Sequence, residues 1–124
     1  MKICLSSNGN SSDSIMDPRF GRAAYFAIAD TETMKFEIIE NSAADSGGGA
    51  GITSAQLMVD KGVKAVITGN VGPNAMNVLK TAEIDIYRGT AVSLKENLEK
   101  LNKGLLDKID TTVPEHYGMQ GGRK

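Results

Sequence analysis

The stretch Asp45-Ser46-Gly47-Gly48-Gly49-Ala50-Gly51 holds four of the chain's fourteen glycines and opens into a helical pattern beginning Ile52-Thr53-Ser54. Glycine takes positive φ without steric cost and lets bare backbone N–H groups approach a ligand. A helix N-terminus directly behind such a loop favours an anion. The same composition also makes flexible linkers, so the loop is a cradle only if other elements converge on it. Arg19, Arg22 and Arg88 add guanidinium groups of the kind that grip anionic oxygens, although exposed arginines are commonly just solvated.

Catalytic signatures do not fit. The chain has no GxxxxGK[ST] loop, and glycines at 47, 48, 49 and 51 do not make GxGxxG. No Cys or His pair has zinc-ligand spacing. A Ser–His–Asp triad would depend on His116, near the C-terminal end, and no segment resembles a nucleophile elbow. Cys4 and His116 are the candidate soft-metal ligands. Cys4 has the ordinary role of a small buried hydrophobe as its alternative, and His116 that of an exposed residue in a tail. Met16, Met58, Met76 and Met119 are sulfur donors in principle, but Met58 and Met76 lie on helix stripes. Iron–sulfur ligation normally takes several cysteines. With one, any cluster would be held by shape, backbone donors and charge.

The elements that must position these groups follow from periodicity. Ile3, Cys4 and Leu5 are consecutive apolar residues in a first strand, Lys2–Ser6, and read as buried. Tyr25–Asp30 is a second strand and Lys35–Glu40 a third, with so short a connection that they form a hairpin. Ile52, Ala55, Met58 and Val59 mark a helical stripe closed by Gly62. Lys64–Thr68 is a buried strand. Pro73 then stands at a first helical position, with Ala75, Met76, Leu79 and Ala82 on the helix stripe. Ile84–Tyr87 is the fifth strand. Ser93-Leu94-Lys95-Glu96 matches a capping box, Leu94, Leu98 and Leu101 form the third stripe, and Gly104 ends that helix. Glu96–Lys100 and Glu99–Lys103 are solvated i,i+4 pairs. Residues 107–124 carry little apolar content and read as a flexible tail after a single domain over 1–106.

The bulk composition excludes several classes. The chain has 124 residues, 14 Lys and Arg against 15 Asp and Glu, and a net charge of −1, so there is no bias toward nucleic acid or an anionic membrane. No apolar run approaches the roughly 20 residues of a membrane span. Met1-Lys2-Ile3-Cys4-Leu5 reads into a strand rather than a signal peptide, and one cysteine suits a reducing compartment. The expectation is a cytoplasmic protein.

The order β-β-β-α-β-α-β-α predicts an α/β fold with a five-stranded mixed sheet, order 3-2-1-4-5, strand two antiparallel, flanked by three helices. Strands one, three, four and five then end on one edge. The loops Ser6–Gly21, Asn41–Gly51, Gly69–Gly72 and Arg88–Thr90 crowd that rim, where open sheets bind ligands at the switch in strand order. The candidate binding residues are therefore Ser6, Arg19, Arg22, Gly47, Gly48, Gly49, Gly51, Gly69, Asn70, Gly72 and Arg88. Ribonuclease-H-like nucleases share this architecture, but a two-metal site wants a carboxylate on the central strand, where Cys4 and Ser6 stand instead.

The Met1-Lys2-Ile3 strand, Asp17-Pro18-Arg19-Phe20-Gly21-Arg22-Ala23, Val66-Ile67-Thr68-Gly69-Asn70-Val71-Gly72-Pro73-Asn74-Ala75 and Ile86-Tyr87-Arg88-Gly89-Thr90, in this order, resemble the dinitrogenase iron–molybdenum cofactor biosynthesis family over about residues 1–106. The resemblance implies a ribonuclease-H-like α/β domain that binds, carries or helps insert an iron–sulfur or iron–molybdenum-type cofactor or precursor, alongside its assembly proteins. The expectation is a non-catalytic binding or carrier protein with the anion on the rim. The alternatives are an enzyme processing a phosphate metabolite or nucleic acid on the same rim, or a protein-interaction adaptor in metallocofactor assembly. No nucleic-acid or membrane partner is expected.

Overall fold

Ile3, Cys4 and Leu5 are all fully buried, as three consecutive apolar residues require when a strand is covered on both faces. They belong to β1 (Lys2–Ser7), the central strand of the sheet. The computed structural model of the chain describes residues 1–42 and 49–109. Its five strands take the order β3-β2-β1-β4-β5, with β2 at Tyr25–Asp30, β3 at Phe36–Glu40, β4 at Ala65–Thr68 and β5 at Asp85–Arg88. β1 pairs antiparallel with β2 and parallel with β4. β2 pairs antiparallel with β3, and β4 parallel with β5. The expected mixed sheet is therefore present, and β1, β3, β4 and β5 end on one edge.

Side-chain alternation divides the core in two. Cys4, Phe26, Ile28, Val66 and Ile86 face α1 (Ala50–Lys61) and α2 (Pro73–Thr81), against Ala55, Met58, Ala75, Met76 and Leu79. Ile3, Leu5, Ala27, Ala29 and Ile67 face α3 (Leu94–Asn102), against Leu94 and Leu98. The local punctuation is as the residue types demand. Gly62 closes α1 at φ 71, Pro73 opens α2, and Ser93 Oγ accepts the Glu96 N–H at 3.1 Å to cap α3.

Two expectations are corrected. On α1 the buried face is Ala50, Ser54, Ala55 and Met58, while Ile52 is 43% and Val59 37% exposed. The reason is the close approach of α1 to α2: a Cβ at Gly51 would lie only 3.3 Å from Ala75 Cβ, so small residues make the contact at this end of α1, and Ile52 and Val59 are turned outward. The second concerns the boundary at 106. Arg88 N–H donates to Asp107 O at 2.8 Å and Ile109 N–H to Ile86 O at 2.7 Å, so residues 107–109 cover the edge of β5, and Ile109 is buried in the core. The remainder of the expected tail, including His116, lies outside the described residues, as do Gly47 and Gly48. No helix among the described residues is long and apolar enough to cross a membrane.

Candidate functional site

The rim is built by loops that mostly bond to one another. Ser6 is buried one residue before the end of β1. Its hydroxyl donates to Asp17 O at 2.5 Å and lies 2.7 Å from Thr68 Oγ1 on β4. Pro18 O accepts two donors from the next turn, Gly69 N–H at 3.2 Å and Asn70 N–H at 2.7 Å, and Asn70 O accepts the Phe20 N–H at 3.2 Å. Gly69 is glycine because a Cβ there would sit 2.7 Å from Pro18 Cβ and 2.9 Å from Pro18 Cα and O. Asp17, with its side chain 5% exposed, accepts from Arg19 through Nη2 at 2.9 Å and Nε at 3.1 Å. Burial penalises the Asp17 carboxylate, but its hydrogen bonds and charge contact with Arg19 outweigh this and hold its pKa below the usual value. Arg88 reaches back to donate to Gly69 O at 3.2 Å. Thus Ser6, Gly69, Asn70 and Arg88, all candidate binding residues in the sequence, are here the wiring between loops, while Arg19 pairs with Asp17 inside its own loop.

Gly49, Gly51 and Gly72 are brought together. They line one cavity of about 190 Å³ with Phe20, Gly21, Ile52, Pro73, Asn74 and Ala75. It lies between the N-termini of α1 and α2, whose first-turn N–H groups have no intrahelical acceptor. Neither helix has a side-chain cap or an acidic residue in its first turn, in contrast to α3 with Ser93 and Glu96. Gly49 holds φ 96 at the start of α1, a conformation that favours glycine. Gly72 has φ −72 and ψ 168, which any residue adopts, and a Cβ there would meet nothing within 4 Å. Neither backbone nor packing asks for glycine at 72, yet a side-chain cap is missing where Ser, Asp or Asn would be favoured.

Among the described residues, the cavity lining carries no ionisable side chain. Arg22 is exposed and adjoins Gly21 at its edge. Cys4, proposed above as a metal ligand, is not on the rim. It is fully buried in mid-sheet with its thiol toward Leu5 O at 3.9 Å, and burial pushes its pKa up, so a thiolate is disfavoured there. Among the described residues no three His, Cys, Asp or Glu side chains come together to hold a metal ion. The donors available there are backbone N–H groups and the Asn74 amide, between the apolar Phe20 and Ile52, a set suited to an anion whose own atoms accept hydrogen bonds.

A family model described as dinitrogenase iron-molybdenum cofactor matches residues 1–104. The chain belongs to this family. An uncharacterized protein of Methanocaldococcus jannaschii, MJ0580, is 37% identical over 113 residues, covering 89% of this chain and 92% of that protein. The apo form of the orange protein from Desulfovibrio gigas superposes with a TM-score of 0.85 at 30% identity, over 90% of this chain and 94% of that one. A NifB-like Thermotoga protein of the DUF35 family gives 0.81 at 36% identity, over 92% and 97%. Membership associates the chain with the binding or biosynthesis of iron–molybdenum cofactor in general.

The residues that sequence reasoning left off the site are Phe20, Gly21, Ile52, Pro73, Asn74 and Ala75. Five of them stand inside the Phe20-Gly21 and Gly72-Pro73-Asn74-Ala75 segments that carry the family resemblance, so the motif itself was the available signal. Ile52 stands on the helical stripe that the sequence predicts for α1. Asn41 and Asn97, which hold rim loops through buried amides, gave no more signal than that of ordinary turn formers.

Proposed function

We propose that this chain binds and hands on, without catalysing a reaction, an anionic iron–sulfur or iron–molybdenum-type cofactor or a precursor of it, seated in the cavity between α1 and α2. One observation carries the reading: two uncapped helix N-termini lie side by side, with Gly51 against Ala75. Each terminus carries about half a positive charge, so the pair repels unless an anion stands between them. The N–H groups of both first turns would donate to sulfide or oxide atoms of the cargo, while Phe20 and Ile52 exclude water from one side. Metallocluster chemistry would be the cargo's own. The family match and the likeness to a protein solved in an apo form support a bound group of this class. Binding by shape and dipoles, without thiolate ligands, suits a cargo that must be released to an assembly partner.

The test is anaerobic mixing of the purified chain with extracted iron–molybdenum cofactor. Charge-transfer absorption, a mobility shift, and displaced amide resonances at Gly51, Ile52, Asn74 and Ala75 are expected. Cofactor uptake that leaves those resonances in place would move the site elsewhere. Capture of an assembly protein by the metal-free chain, with no cofactor uptake, would replace the carrier reading with the adaptor reading.

A further inference from the structure

We infer that Asn41 is a positioning residue for the cavity, setting the Phe20–Ala24 wall against the first turn of α1. The inference rests on reading that cavity as the anion seat. Asn41 follows β3 directly and is buried. Its side-chain amide donates to Gly21 O at 3.1 Å and to Ala23 O at 2.9 Å, and its backbone N–H donates to Ala24 O at 3.0 Å. An asparagine amide has two N–H donors, and both are used on one three-residue stretch.

That stretch is where the wall meets the helix. A Cβ on Gly21 would fall 2.8 Å from both Gly51 Cα and Gly51 N, so the two backbones are in contact. Gly51 in turn lies against Ala75 of α2. Any displacement of Gly21 must therefore move the first turn of α1, or open a gap beside it, and either change alters the spacing of the two helix N-termini. The other end of the wall is pinned separately. Phe20 N–H donates to Asn70 O, and the Phe20 ring packs on Phe26 with centroids 5.5 Å apart. Asn41 secures the end that touches α1. Aspartate cannot replace it, because its carboxylate would put acceptors against two carbonyl oxygens.

The experiment compares the wild type with Asn41→Ala and Asn41→Asp, and with Asn97→Ala as a matched control. Asn97 is likewise a buried amide, and it holds Thr90, Val92 and Ser93 beside α3, away from the cavity. In ligand-free ¹⁵N spectra the Asn41 variants should displace the amides of Gly21, Gly51 and Ala75 together, and Asn97→Ala should leave them in place. In the anaerobic titration with extracted iron–molybdenum cofactor, the Asn41 variants should bind about tenfold more weakly, the scale of one lost buried hydrogen bond, with wild-type affinity in Asn97→Ala. If Asn41→Asp does not fold, Asn41→Ala decides. A folded Asn41→Ala with wild-type affinity, or with the three amides unmoved, overturns the inference. A wild type that takes up no cofactor refutes the cavity reading instead, and the ligand-free amide positions then judge Asn41 alone.

Discussion

Glycine stands at 21 and at 72 for opposite reasons, and substitution should separate them. At Gly21 a Cβ collides with the backbone of Gly51, which cannot swing aside as a side-chain tip would. Gly21→Ala should therefore cost about 1–3 kcal/mol, the range for overpacking a tight contact, read as a lower urea midpoint. At Gly72 the Cβ has open space and the backbone already has N-cap geometry. Gly72→Asp should cap α2 and raise stability by roughly 0.5–1 kcal/mol, while the new carboxylate occupies the anion's place and abolishes cofactor uptake. A more stable variant that still binds the cofactor would show that the first turn of α2 is not part of the seat.

At the scale of elements, the three helices end alike but not with like residues. Gly62 after α1 and Gly104 after α3 both take φ 71, while α2 is followed by Glu83 at φ 61, an exposed non-glycine residue in the left-handed region. Left-handed backbone costs a non-glycine residue about 1–2 kcal/mol. Glu83→Gly should recover about 1 kcal/mol in thermal unfolding, and it should leave the rim unaffected because Glu83 precedes β5 at the sheet's opposite edge. No gain in melting temperature would mean that the Glu83 side chain makes a compensating contact. The helix starts diverge in the same way. α3 is capped by its own sequence, and Ser93–Glu96 was legible without a structure. α1 and α2 are left open where they meet. On α1 the apolar period does not predict burial at Ile52 and Val59, because periodicity locates an apolar face only when large residues make the contact. Here the contact is made by Gly51, Ala55 and Ala75, and burial follows the neighbouring helix rather than hydrophobicity.

Across the whole molecule, the Asp17–Arg19 pair and the Asp30 turn tie acid stability to the loops. Asp30 Oδ1 accepts the N–H groups of Thr33 and Glu32, which lowers its pKa, as Arg19 does for Asp17 against its burial. Both carboxyls are thus more acidic folded than unfolded. In the unfolded chain they take up protons near the ordinary aspartate pKa of about 3.9, so the unfolded state binds more protons just below that pH. Their contribution to stability is complete above it and is lost as pH falls through the folded values. The urea midpoint should hold steady from neutral pH down to about pH 5 and then fall, and Asp17→Asn should flatten that fall. An Asp17→Asn chain with an unchanged acid limb would mean that the pair contributes nothing to folding.

What the residues alone determined was local or combinatorial. Strand and helix types follow from periods of two and 3.6, helix ends from caps, and the order 3-2-1-4-5 from the short β2–β3 connection and the later β-α-β units. From that order, the rim and its convergence of Gly49, Gly51 and Gly72 could be deduced. Only the tertiary structure decided which rim groups line the open cavity and which bond to one another. Ser6 bonds to Asp17 and Thr68, and Pro18 to Gly69 and Asn70, across separations of up to about sixty residues that no local pattern encodes. Buried polar groups must find partners, and those loops found each other. Among the described residues the first turns of α1 and α2 carry no side-chain cap, and the cavity of Gly49, Gly51 and Gly72 lies between them.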